Sequence, residues 1–180
     1  MTALARQPAR LSDLVPICDR LPAATIDQLI GATRVISRAG GRVGHNKLAA
    51  ALRFNDEHTA GAIGFLARLG LVEQIGGDIA LTGDGKRIAT AGIPARRRIF
   101  AELAIRLPII REITTLLAGE PGGSLTRGEL LDRLGAQSCA ADADRVFDHV
   151  IAWGRYANLF IYDAAAEQVT LSKKRAEAPR

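Results

Sequence analysis

The sequence predicts a mainly α protein with small β-hairpins. The expected α+β fold has two tandem winged-helix-like units joined by a central helical segment. Three observations point there. Apolar residues recur at helical spacing along most of the chain. Gly40-Gly41, Gly76-Gly77 and Gly122-Gly123 punctuate it as turns. An order of helices closed by a two-stranded hairpin reads twice, on either side of a Pro-divided helical stretch. The expected organisation is a loose lead-in over 1–24, a first unit over 25–92, a central segment over 93–120, a second unit over 121–172 and a basic tail over 173–180.

The elements of the first unit follow in order. Thr25 stands at an N-cap with Gln28 three residues on, the spacing of a capping box. Ile26, Leu29, Ile30, Thr33 and Ile36 then keep the helical period, and Gly40-Gly41 ends it. Arg42-Val43-Gly44 is a short extended link. Asn46 is read as the cap of a helix through about Leu52, with Leu48, Ala51 and Leu52 on one face. Asn55 or Asp56 begins a third helix carrying Ala62, Phe65, Leu66 and Leu69, with Gly70 as its C-terminal stop. Residues 71–75 and 79–82 read as strands around the Gly76-Gly77-Asp78 turn. Thr82 and Asp84 offer caps for a helix holding Ile88 and Ala89.

In the central segment Pro94 suits a first helical turn, and Pro108 should kink or divide the helix. Ile99, Phe100, Leu103, Leu107, Ile110, Ile113, Leu116 and Leu117 form an apolar spine between the halves. After Pro121-Gly122-Gly123 the order returns. Ser124-Leu125 is a link, and Thr126 with Glu129 makes a second capping box. Leu130, Leu131 and Leu134 lie on that helix, which is read as ending at Gly135. A long helix is read from Ser138 to about Arg155, with Val146, Phe147, Val150, Ile151 and Trp153 apolar. Residues 159–162 and 168–171 are the second hairpin. The two halves share order without evident residue-by-residue identity.

Composition bounds the function. Of 180 residues 48% are hydrophobic and 24% charged, values of an ordinary globular protein and not of a disordered one. Aromatics are only 4%, so Leu, Ile, Val and Ala must fill the core. Cys18 and Cys139 form no CxxC or Cys/His metal spacing, so no metal site and no cofactor are expected. The start lacks a signal-peptide core, and no apolar run reaches the roughly 20 residues of a membrane span. A cytoplasmic location is expected, peripheral at the inner membrane only through a partner. There is no GxxxxGK[ST] loop. His45, His58 and His149 are scattered, no carboxylate dyad stands out, and no catalytic residue is assigned.

The hairpin topology and the formal net charge of +5 raise a DNA-binding transcription regulator as the alternative function. The third helices argue against it. The first opens Asn55-Asp56-Glu57-His58, and the second carries Asp142, Asp144 and Asp148 against Arg145. Carboxylates beside phosphates oppose the electrostatic term that dominates non-specific DNA affinity. Arg96-Arg97-Arg98 is the best basic cluster, a candidate contact for an anion or an acidic partner. The competing reading is a solvated helix face with at least one Arg packed along its stem. A pocket between the halves that senses a small anion, charged by this cluster, is a third reading.

Residues 151–163 are the most distinctive stretch. They hold the only Trp and both Tyr residues. Trp153 reads either as an anchor of the last helix against the hairpin or, with Arg155, Tyr156 and Tyr162, as a candidate partner surface. Here the sequence resembles the AAA-associated C-terminal domain, found after the ATPase of nitrate/sulfonate/taurine/bicarbonate-type ABC transporters. The family's late signature reads much like DWGRYAELFEYD. Trp153-Gly154-Arg155-Tyr156-Ala157, Leu159-Phe160 and Tyr162-Asp163 match it, and Ala152 stands where the family usually has an acid. Leu69 to Glu73, Gly77 to Thr82 and the helix from Arg97 through Phe100 are further family-like pieces. The resemblance spans roughly residues 22–172.

The resemblance implies a non-catalytic accessory or regulatory module of an ABC-type importer ATPase of small anions, acting through protein–protein contacts. No residue matches the motifs that bind or hydrolyse ATP, so that activity is not carried over. With no ATPase in these residues, docking on the ATPase in trans is the expected mode. A homodimer is a further partner considered; DNA is disfavoured, and membrane contact is expected only indirectly.

Overall fold

The computed structural model describes residues 24–134 and 143–172. The lead-in over 1–23, the tail over 173–180, Cys18, Cys139 and the expected boundaries at Gly135 and Ser138, with Asp142, lie outside them. Among the described residues the protein is mainly helical, with two small antiparallel sheets.

The first series is α1 (Ile26–Arg38), β1 (Arg42–Gly44), α2 (His45–Leu52), α3 (Asp56–Arg68), β2 (Val72–Ile75) and β3 (Asp78–Leu81). Its sheet runs β1-β3-β2, with Val43 opposite Ile79 and Val72 opposite Leu81. Two helices follow, α4 (Gly83–Thr90) and α5 (Ile93–Ala104). The second series is α6 (Pro108–Gly119), β4 (Ser124–Thr126), α7 (Arg127–Arg133), α8 (Ala143–Tyr156), β5 (Phe160–Asp163) and β6 (Gln168–Leu171). Its sheet runs β4-β6-β5, with Leu125 opposite Val169 and Phe160 opposite Leu171. The order α–β–α–α–β–β and the strand order therefore occur twice.

Local chemistry explains the boundaries. Both capping boxes form: Thr25 with Gln28 opens α1, and Thr126 with Glu129 opens α7. Asn55 caps α3 by accepting from the His58 N–H, and Thr82 caps α4 through Gly85. Pro108 takes the first turn of α6 and separates it from α5. The turn between β2 and β3 needs positive φ at both central residues, which Gly76 (58°) and Gly77 (86°) supply. One expectation is corrected. The cap of α2 is Gly44, not Asn46, and no side chain serves it. Its buried residues are Leu48 and Ala49, while Ala51 is exposed, because the helix starts earlier than the sequence suggested.

A single apolar cluster runs through both series. Most of the predicted spine lies in it: Ile99, Phe100, Leu103, Ile110, Ile113 and Leu117 are buried, with Leu107 and Leu116 packed at its edge. Ala24, placed with the lead-in from sequence, is also buried.

The two series also correspond residue by residue. Gly40 and Gly41 at the end of α1 have positive φ, as do Gly122 and Gly123 before β4. Leu48 on α2 and Leu130 on α7 sit four residues past their N-caps, and both are buried. The buried positions of α3 with the following Leu69 are Thr59, Ala62, Ile63, Phe65, Leu66 and Leu69. They recur 88 residues on as Phe147, Val150, Ile151, Trp153, Gly154 and Ala157. Gly70 and Asn158 then take the same left-handed conformation. The Leu71 N–H donates to the Leu66 carbonyl as the Leu159 N–H donates to that of Gly154.

Candidate functional site

Two residue sets singled out in the sequence, around Trp153 and at Arg96 to Arg98, meet in one place: the joint between the halves. Trp153 is 1% exposed and stacks on Phe65 of α3, with ring centroids 4.5 Å apart. Phe65 and Trp153 are equivalent positions of the two series. Equivalent residues touching each other is what a two-fold relation produces for residues near its axis. The edge of His149 meets Trp153 from one turn back, at 6.3 Å.

Tyr156 makes the second contact. Its ring meets Phe100 of α5 edge-on at 5.3 Å, and the Arg97 guanidinium lies 5.7 Å from its centroid. Burial pushes the Tyr156 hydroxyl above its ordinary value. The positive charges of Arg96 and Arg97 oppose that, and the negative charge of Asp27 on α1 adds to it. Arg96 is half-buried. It turns back to donate to the carbonyls of Ala91 at 2.7 Å and Ile88 at 3.4 Å, the C-terminal end of α4.

The expectation of a partner surface centred on Trp153 is thereby corrected. Trp153 is core, and Tyr156 and Tyr162 are half-buried, Tyr162 against Phe147 at 5.3 Å. Of the four, Arg155 alone is exposed. Arg96 is committed to carbonyls and Arg97 to a ring, so only Arg98 of the basic cluster is exposed without a partner shown. Sequence reasoning placed Phe100 in the spine between the halves but missed Phe65 as the other side of the joint. Phe65 had been read as core of its own helix, and no local signal pairs residues so far apart.

A groove of about 610 Å³ lies elsewhere, within the first half. The end of α1, Arg42 to Lys47 and Gly77-Asp78 line it. Arg42 there is tied to Asp78 at 2.8 Å and to the Ile75 carbonyl. It is not the expected pocket between the halves, and Arg96 to Arg98 are not among its lining residues.

The outward faces of the third helices are now visible. On α3 the exposed residues are Asp56, Glu57, His58, Ala60, Gly61, Gly64, Ala67 and Arg68, the last lying over the Phe65 ring. On α8 they are Asp144, Asp148, Ala152 and Arg155, and Asp144 pairs with Arg127 of α7. Residues 1–23, 135–142 and 173–180 hold seven Lys and Arg against four Asp and Glu. Three of the five net charges thus lie outside the described residues.

The C-terminal AAA-associated domain family matches residues 46–163, from α2 to the last residue of β5. The chain belongs to this family. The match takes in both third helices and the whole joint, and ends short of the 22–172 suggested by the resemblance. No curated protein and no solved structure matches the chain. Among the described residues of this AAA-associated domain, no helix is long and apolar enough to cross a membrane. No group of three His, Cys, Asp or Glu residues that could hold a metal ion occurs among them either.

Proposed function

We propose that this AAA-associated domain is a non-catalytic, regulatory module of an ABC-type importer ATPase of small anions, built from two winged-helix units and acting in the cytoplasm through protein contacts. Family membership supports the association with an ATPase. The observation that carries protein contact over DNA contact is the pair of outward helix faces. A winged-helix reader places Arg, Lys, Asn or Gln on the third helix, opposite phosphates and base edges. Here α3 offers Ala60, Gly61, Gly64 and Ala67 between Asp56-Glu57 and a single Arg68, and α8 offers Asp144, Asp148 and Ala152 with a single Arg155. Small side chains allow close approach of another protein surface, and the carboxylates repel a phosphate backbone.

The test is capture of the tagged protein with crosslinking from its own cells. Recovery of an importer ATPase is the expected outcome, and an ATPase-free interactome overturns the reading. Gel retardation supplies the opposite arm. Salt-sensitive, sequence-selective retardation of DNA would establish the transcription-regulator alternative instead.

A further inference from the structure

We propose that the groove of the first half is an anion site, taking a small molecule that carries a phosphate or carboxylate group. Its volume of about 610 Å³ is that of a small-molecule site. Its lining is polar, with only Ala39 and Val43 bringing an apolar side chain. The charge around it is segregated. Residues 28–52 hold Arg34, Arg38, Arg42 and Lys47 and no Asp or Glu. The stretch 82 residues on, 110–134, holds three Arg against four Asp and Glu. There Arg127 is paired with Asp144 and Arg133 with Glu120. In the first set Arg42 is paired with Asp78, while Arg34, Arg38 and Lys47 are exposed and have no ion pair among the described residues. Lys86 of α4 joins them: a Cβ on Gly41, next to Arg42, would meet its Cε at 3.9 Å. A concave surface carrying one sign of charge concentrates counter-ions. The second half shows what the equivalent place accepts. Thr126 and Glu129 set a hydroxyl and a carboxylate on the start of α7. Gly44 and Lys47 stand there in the first half, both lining the groove. They leave the first amides of α2 without a side-chain acceptor and put a cation on the same turn. An oxyanion in the groove takes the place of the Glu129 carboxylate, with Lys47 and those amides as its donors. The site is independent of the partner the domain engages.

Calorimetric titration of the whole chain with inorganic pyrophosphate, at low and at physiological salt, tests it. Saturable binding of one equivalent is expected, weaker at the higher salt. Lys47→Gln should weaken it about tenfold, the worth of one charged hydrogen bond. Gly44→Thr combined with Lys47→Glu rebuilds in α2 the box of α7. That variant should lose binding while its melting temperature holds or rises, which separates a blocked site from a damaged fold. Arg98→Gln removes an exposed cation outside the groove and should bind as the intact protein does. Heat without saturation would overturn the site. So would unchanged affinity in the rebuilt-box variant, or an equal loss in Arg98→Gln. Sedimentation with phosphatidylglycerol vesicles by a chain that ignores pyrophosphate would overturn it too, and would assign these cations to a membrane surface.

Discussion

The two halves build the same positions from different residues, and the differences show which features the fold requires. On the third helix six buried positions coincide, yet only Ile63 and Ile151 are identical. Leu66 and Val72 of the first half stand where Gly154 and Phe160 stand in the second. The bulk has moved from helix to strand while the site stays filled. The caps differ as well: Gly44 opens α2 with no side-chain bond, and Thr126 opens α7 with a complete box. The β2–β3 turn has two residues, and the β5–β6 turn has four, held by Asp163 accepting from the N–H groups of Ala165 and Ala166. What remains constant is the burial pattern, the left-handed residue after the third helix and the strand order.

The largest effect expected is at the shared contact. Truncating a buried aromatic removes its burial and leaves a cavity, at about 3–5 kcal/mol. Trp153→Ala and Phe65→Ala should each cost an amount in that range by chemical denaturation. Because they face each other, the double variant should cost clearly less than the two losses combined. Additivity would break the claim that the halves meet through this stack.

Next comes the exchanged bulk. A Cβ on Gly154 would lie 1.9 Å from the Phe160 ring, so Gly154→Ala should cost about 1–3 kcal/mol by overpacking. Pairing a larger residue with a smaller ring site, as Gly154→Leu with Phe160→Val, rebuilds the arrangement of the first half. It should be more stable than Gly154→Leu alone. A double variant no better than the single would mean that the two halves are not packed on one plan. Gly85→Ala is the control without rescue: its Cβ would sit 2.0 Å from the Leu71 carbonyl oxygen, a backbone atom that no side-chain change can move.

These comparisons also explain what the sequence made legible. Element order was readable because capping boxes, Gly pairs and prolines act locally, through hydrogen bonds and φ within a few residues. The correspondence between the halves was hidden for three reasons. Volume is conserved across residue pairs and not position by position, as at Leu66/Val72 and Gly154/Phe160. The spacing between equivalent residues changes along the chain: 82 between Gly44 and Thr126, 88 between Phe65 and Trp153 and 90 between Leu81 and Leu171. The register therefore slips twice. Third, Phe65 and Trp153 each fit a one-helix explanation, so neither demanded a partner. The same blindness kept a surface reading of Trp153 open beside the anchor reading. An aromatic next to Arg and Tyr satisfies the composition of an interface, and here that interface is intramolecular.

The smallest effect expected sharpens the difference between the two second helices. Thr126→Ala removes a side-chain cap and should cost about 1 kcal/mol. Gly44→Ser adds one where none exists. Gly44 has an ordinary extended conformation, and its Cβ would meet only Asp78 Oδ1 at 3.5 Å. Since Gly is itself a fair N-cap, the gain should be a few tenths of a kcal/mol. The box carries its own pH signature. The backbone N–H and the hydroxyl of Thr126 hold the Glu129 carboxyl below its ordinary range. A carboxylate with a lowered folded-state value stabilises above its unfolded value near 4.5, and that share fades as pH falls through the folded value. Melting Glu129→Gln beside the intact protein should therefore show a difference at neutral pH that shrinks in acid. Position 47, the third residue of α2, is a Lys with no cap to reach, so Lys47→Gln should show no such acid-range convergence. A pH-independent difference for Glu129→Gln would reduce the box to packing, and the contrast between α2 and α7 would then lie in the hydroxyl alone.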